Sequence, residues 1–181
     1  MKPELLYPYI VTKEYLEHGA PQPDGFTKPL GQGVYATLVC DLNGLVRNVL
    51  PTELAQAGLS SDEALARAQA NLEKMIQSQT IHSAVLPKGP HGKPFVLFGG
   101  HWGAASVCTW SGLHRIAARA LGTERLVLSI PHREALIIFA DGESDYITAM
   151  QEMIRENEAD GTKPLTWDLF VLAPDGLKPK S

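Results

Sequence analysis

The hydrophobic pattern is clearest between Arg125 and Ala140. The runs Arg125 to Ile130 and Ala135 to Ala140 are apolar on both alternating faces, which marks strands buried on two sides at the centre of a sheet. Only Pro131-His132-Arg133-Glu134 separates them. That loop is too short for a crossover helix, so the pair is predicted to be antiparallel. On either side the period changes to that of helices. Leu113, Ile116, Ala117, Ala120 and Leu121 recur at helical spacing after Ser111, a candidate N-cap, and Gly122 suits the left-handed residue just past the end. Ile147, Met150, Met153 and Ile154 form the apolar stripe of a helix from Ser144 to about Glu158, with Glu143 and Asp145 where the helix dipole favours acids.

Upstream, Val34 to Cys40 and Leu45 to Leu50 flank Asp41-Leu42-Asn43-Gly44. Asn-Gly supplies the positive φ angles of a tight turn, which predicts a hairpin. Ser60 and Glu63 form a capping box that opens a helix with Leu65, Ala68, Leu72, Met75 and Ile76 inward, to about Gln77. Thr80 to Leu86, Phe95 to Phe98, Trp102 to Thr109 and Trp167 to Leu172 read as further strands, the last ended by Pro174-Asp175-Gly176. At the start, Pro3, Pro8, Gly19, Pro21, Pro23, Gly25 and Pro29 leave only Tyr9 to Leu16 free for regular structure. The expected division is a proline- and glycine-rich arm over 1–31, dispensable for folding, a core over 32–177 and a tail over 178–181. The fold class is α+β, a single domain with a largely antiparallel sheet and three main helices packed mostly on one face.

Composition narrows the class of function. The chain has 181 residues and a net charge of −4, with no cluster of Lys or Arg, which argues against a nucleic-acid partner. Its apolar runs fall short of a membrane span, and the first residues lack the pattern of a secretory signal, so the expectation is a cytoplasmic protein with no membrane partner. The two cysteines, Cys40 and Cys108, lie in apolar runs and read as buried free thiols, inert in the native protein.

Several short motifs occur in order. Pro29-Leu30-Gly31-Gln32-Gly33-Val34-Tyr35-Ala36-Thr37-Leu38-Val39-Cys40-Asp41 is followed by Pro51-Thr52-Glu53-Leu54, Gly58-Leu59-Ser60 and Ala68-Gln69-Ala70-Asn71-Leu72. Later come Ala104-Ala105-Ser106, Ile130-Pro131-His132-Arg133-Glu134-Ala135-Leu136 and Asp175-Gly176. Over about residues 28 to 177 the chain resembles the YtpQ-like family of bacterial proteins of unknown function. The resemblance implies a soluble bacterial α+β protein and carries no catalytic residue; the stretch before residue 28 has no counterpart in it.

The chemistry-bearing residues give no enzyme motif. In a regular strand His101 and Cys108 point to opposite faces, which opposes a nucleophile and base pair. Ser111 and His114 lack the glycines of a nucleophile elbow. Phe98-Gly99-Gly100-His101-Trp102-Gly103 leads into a strand and lacks the helix N-terminus of a phosphate cradle. Six histidines occur without metal-ligand spacing, and the acids Glu152, Glu156, Glu158 and Asp160 read as a solvated helix face; no metal or cofactor is expected. The polar loop at His132 and Arg133 is expected to be an exposed turn, either an ordinary polar hairpin turn or one suited to recognition, with His101 and Trp102 as further binding candidates. Alanine there is expected to cost little stability. The reading is a non-catalytic module that binds a protein partner, immunity-type or regulatory, of unspecified oligomeric state. The alternative is a hydrolase or transferase whose site the fold assembles from Asp41, His101, Cys108, His114, His132 and Arg133.

Overall fold

Two antiparallel sheets pack together with helices around them. The computed structural model describes residues 2–18, 26–42 and 44–180; the hairpin turn residue Asn43 and the breakers Gly19, Pro21, Pro23 and Gly25 lie outside them. The first sheet holds β1 (Leu6–Thr12), β2 (Lys28–Gly31), β3 (Val34–Leu42) and β4 (Leu45–Asn48). β3 is its spine: β1 pairs along its whole length from Leu6↔Cys40 to Thr12↔Val34. On the other side β2 takes its start and β4 its end. The expected hairpin closes at Leu42↔Leu45.

The N-terminal segment is therefore not an arm. Leu6, Ile10 and Val11 of β1 are fully buried, and β1 is laddered to β3 along its length. Proline spacing suggested otherwise because Pro8 lacks one N–H, yet an edge strand tolerates that loss. Asn71 then fastens the segment to a helix, its side-chain amide donating to the carbonyls of Pro3 and Leu6 at 3.0 Å each. α1 (Lys13–His18) follows β1, and α2 (Pro51–Gln56), a short helix that carries no long apolar stripe, follows β4.

α3 (Ser61–Gln77) starts at the expected capping box: Ser60 Oγ accepts from Glu63 N at 3.3 Å, and Ser60 N donates to Glu63 Oε2 at 2.9 Å. Ala68, Leu72 and Met75 are buried, whereas Leu65 lies outward. The second sheet has the order β10-β9-β7-β8-β6-β5, built from β5 (His82–Leu86), β6 (Phe95–Gly99), β7 (Leu126–Ser129), β8 (Ala135–Ala140), β9 (Leu169–Ala173) and β10 (Gly176–Pro179). β7 and β8 are central and antiparallel, as their apolar pattern predicts. Pro174-Asp175-Gly176 does not end the sheet. It turns into β10, so Lys178 and Pro179, expected in a tail, are paired with Val171 and Phe170.

Alternation on the central strands divides the core. Leu126, Leu128, Leu136 and Ile138 face α3, α4 (Leu113–Leu121) and the first sheet. Val127, Ile137 and Phe139 face the other way, onto Tyr146, Met150 and Ile154 of α5 (Ser144–Glu158). Two of the three main helices thus share one face with the first sheet, and α5 covers the opposite face alone. Burying Met150 and Ile154 contributes about 2 kcal/mol each. Two local expectations fail. Trp102 to Thr109 is no strand but turns leading into a 3-10 helix over Ala105–Thr109; a run of small residues can fold back on itself where a β-branched run would stay extended. Ser111 makes no cap hydrogen bond, since α4 begins after Gly112. Gly122 closes that helix at φ 68°, as expected.

Candidate functional site

The loop between β7 and β8 shows how far burial overrides composition. Arg133 is 9% exposed and His132 7%, so neither forms the exposed recognition turn that the polar run suggested. The Arg133 guanidinium donates from Nε to the carbonyl of Ile10 at 3.2 Å and from Nη1 to the Tyr9 hydroxyl at 2.6 Å. It also lies over the rings of Tyr9 and Tyr15, at 4.4 and 5.1 Å from their centroids. No carboxylate forms an ion pair with it among the described residues. The residue ties the second sheet to β1. Trp102 packs edge-on against Tyr7 and Tyr9, and His101 lies against Trp102. Thus Trp102 and Arg133 meet at Tyr9 with His101 against Trp102, Arg133 buried and His101 and Trp102 half-buried.

His132 turns elsewhere. The Glu134 N–H donates to its Nδ1 at 3.2 Å, which fixes the proton on Nε2, and Nε2 donates to Glu158 Oε2 at 2.8 Å. Glu158 is therefore the partner that satisfies a buried ring, not part of a solvated face. Gly161 lies so close over that ring that a side chain there would collide with it.

The residues of the enzymatic alternative do not all meet in one place. Asp41 Oδ1 accepts the Gly44 N–H at 2.7 Å and serves the hairpin. His101 Nδ1 accepts from the Gly103 N–H at 3.1 Å; burial lowers its pKa, against the opposing charges of Asp41 and Glu134. Cys108 and His114 line one cavity, yet burial pushes the Cys108 thiol up to about 12, which removes the thiolate a nucleophile needs. His114 is engaged by Glu124, its Nε2 3.1 Å from the Glu124 carbonyl. Among the described residues no group of three His, Cys, Asp or Glu is placed to hold a metal ion, and no helix is long and apolar enough to cross a membrane.

Two features that no motif signalled remain open to a partner. The first is β5, the free edge of the second sheet. All five of its residues are exposed, with Val85 at 51%. It pairs with β6 in unbroken register from His82↔Gly99 to Leu86↔Phe95. It carries no lysine, proline or bulge, the usual protections of an edge. Apolar grooves flank it on both faces of the sheet: one beside Val85, Val96, Phe98 and Ile116, the other beside Leu86, Phe95, Leu97 and Met153. The second feature is a cavity of about 600 Å³ where Lys28 and Ala36 of the first sheet meet Leu65 and Gln69 of α3, Cys108 to Ser111, and the β9–β10 turn. The run Thr80 to Leu86 was legible as a strand, but its edge position follows only from strand order. No family model, curated protein or solved structure matches the chain.

Proposed function

We propose that this protein is a non-catalytic module that binds another protein, taking an extended segment of its partner as a further strand beside β5. The observation that carries the reading is the unprotected edge: a regular, uncharged strand with exposed Val85 and Leu86 at 51% and 36%. Main-chain hydrogen bonds would supply affinity there, and grooves on both faces would select apolar side chains at alternate positions of the incoming segment. A second copy is the poorer occupant, because β5 itself has one large apolar residue on each groove, Val85 on one and Leu86 on the other. The placement of Asp41 and His132 away from the cavity that Cys108 and His114 line supports a binding role over a hydrolase or transferase. The motif order along the chain supports membership of the YtpQ-like family and, with it, a bacterial cytoplasmic setting and an immunity-type or regulatory task.

The test is a photo-crosslinking residue in place of Ser83, with a control at Asp145 on α5, in cells that express the full chain. The expected result is an adduct from position 83 alone, mapped by mass spectrometry to an extended segment with alternating apolar residues and lost in Val85→Lys. A band of twice the protomer mass would assign the edge to self-association and overturn the reading, as would equal labelling from both positions.

A further inference from the structure

We infer that the cavity between the two sheets binds a small amphipathic carboxylate: an apolar body of roughly medium-chain fatty-acid size with one anionic end. The walls define the body. Phe26, Leu30, Ala36, Leu65, Trp110 and Leu172 surround about 600 Å³, the size of a ligand site and far beyond the voids of an ordinary core.

The charges define the end. Asp175 on the lining is taken by Lys178 at 3.0 Å, whereas Lys28 makes no ion pair among the described residues. Lys28 is the direct cross-strand partner of Ala36, and such partners share a sheet face. The ammonium therefore rises from the same face as the Ala36 methyl, beside the apolar wall. His114 is turned toward Glu124, its Nε2 3.1 Å from the Glu124 carbonyl. Two inner polar groups are already engaged: Gln69 donates to Thr109 Oγ1 at 3.0 Å, and that hydroxyl donates to the Ser106 carbonyl at 2.8 Å. The interior thus asks for apolar atoms, and Lys28, with no ion pair among the described residues, asks for an anion. This site is separate from the β5 edge and stands or falls independently of it.

Isothermal titration of the full chain with decanoate and with decanol tests the assignment. Decanoate is expected to bind saturably at one site, about fivefold more tightly than decanol. Lys28→Glu should erase that preference while leaving decanol binding unchanged. Ala36→Phe should abolish binding of both by filling the cavity, and Leu65→Trp, made from an exposed helix position, should weaken both even if the strand variant fails to fold. Absence of saturable decanoate binding would overturn the site. Equal binding of the two probes, or an undisturbed preference in Lys28→Glu, would overturn the carboxylate assignment, and binding that survives Leu65→Trp would place the ligand elsewhere.

Discussion

Arg133 combines a permanent charge with burial and has no acidic partner among the described residues. The cost of desolvating such a cation is offset by two hydrogen bonds, to the Ile10 carbonyl and the Tyr9 hydroxyl, and by two aromatic faces. Truncation would leave both acceptors facing a void and detach the β7–β8 loop from β1. Arg133→Ala is therefore expected to destabilise the protein by about 3 kcal/mol in urea unfolding, the range of a disrupted buried polar network. Arg133→Lys should recover little of it, because an ammonium cannot reproduce the planar fork that reaches both groups. A loss within about 0.5 kcal/mol would return the residue to the exposed-turn class. Composition could not foresee this placement: Pro-His-Arg-Glu between two strands reads the same whether the loop meets water or a second sheet.

At the level of elements, local signals were legible where one residue decides the geometry. The Ser60 and Glu63 capping box and the left-handed Gly122 set a helix start and a helix end where the sequence placed them. Where several weak preferences compete, tertiary contacts decide. Trp102 to Thr109 reads as a strand and folds as turns and a 3-10 helix, its small residues Ala104 and Ala105 buried in the core with Val107. The short helix α2 depends on a side-chain pair outside any apolar period. Arg47 grips Glu53 through two hydrogen bonds of 2.7 and 2.5 Å, and the Leu50 N–H donates to the same carboxylate at 3.0 Å. Chiefly through Arg47, the Glu53 carboxyl is lowered from 4.5 to about 2. A carboxyl depressed on folding contributes stability above its unfolded pKa and loses it as pH falls toward the folded value. Glu53→Gln is thus expected to cost about 1 kcal/mol near neutral pH. Thermal melting of the two proteins should converge as the pH falls from about 5 to about 2. A gap that persists at the acid end would show that the ion pair is not the source.

At the scale of the whole molecule, the α+β class was legible, and so was the centre of the second sheet, because strands buried on both faces leave an unbroken apolar signature. What the chain could not disclose is which elements meet across sequence distance. That is why the N-terminal strand, the lone cover of α5 and the edge status of β5 emerge only with the fold. The candidate surfaces share this property, since the β5 edge and the cavity are made by adjacency and not by motif. The N-terminal strand gives the sharpest test. Leu6, Tyr9, Ile10 and Val11 are each at most 4% exposed, and burial of such side chains contributes about 2 kcal/mol apiece. Their combined share is comparable to the whole net stability of a typical domain, about 5–15 kcal/mol. Deletion of residues 1–12 would also strip β3 of the partner along one of its two sides and leave the Arg133 guanidinium without Tyr9 and Ile10. The truncated chain is expected to lose cooperative unfolding and native circular dichroism, whereas deletion from Gly176 onward, which removes the edge strand β10 and the Lys180 pair with Asp141, should leave a folded protein with a lower melting temperature. Cooperative melting of the first truncation would restore the dispensable arm that the prolines suggest.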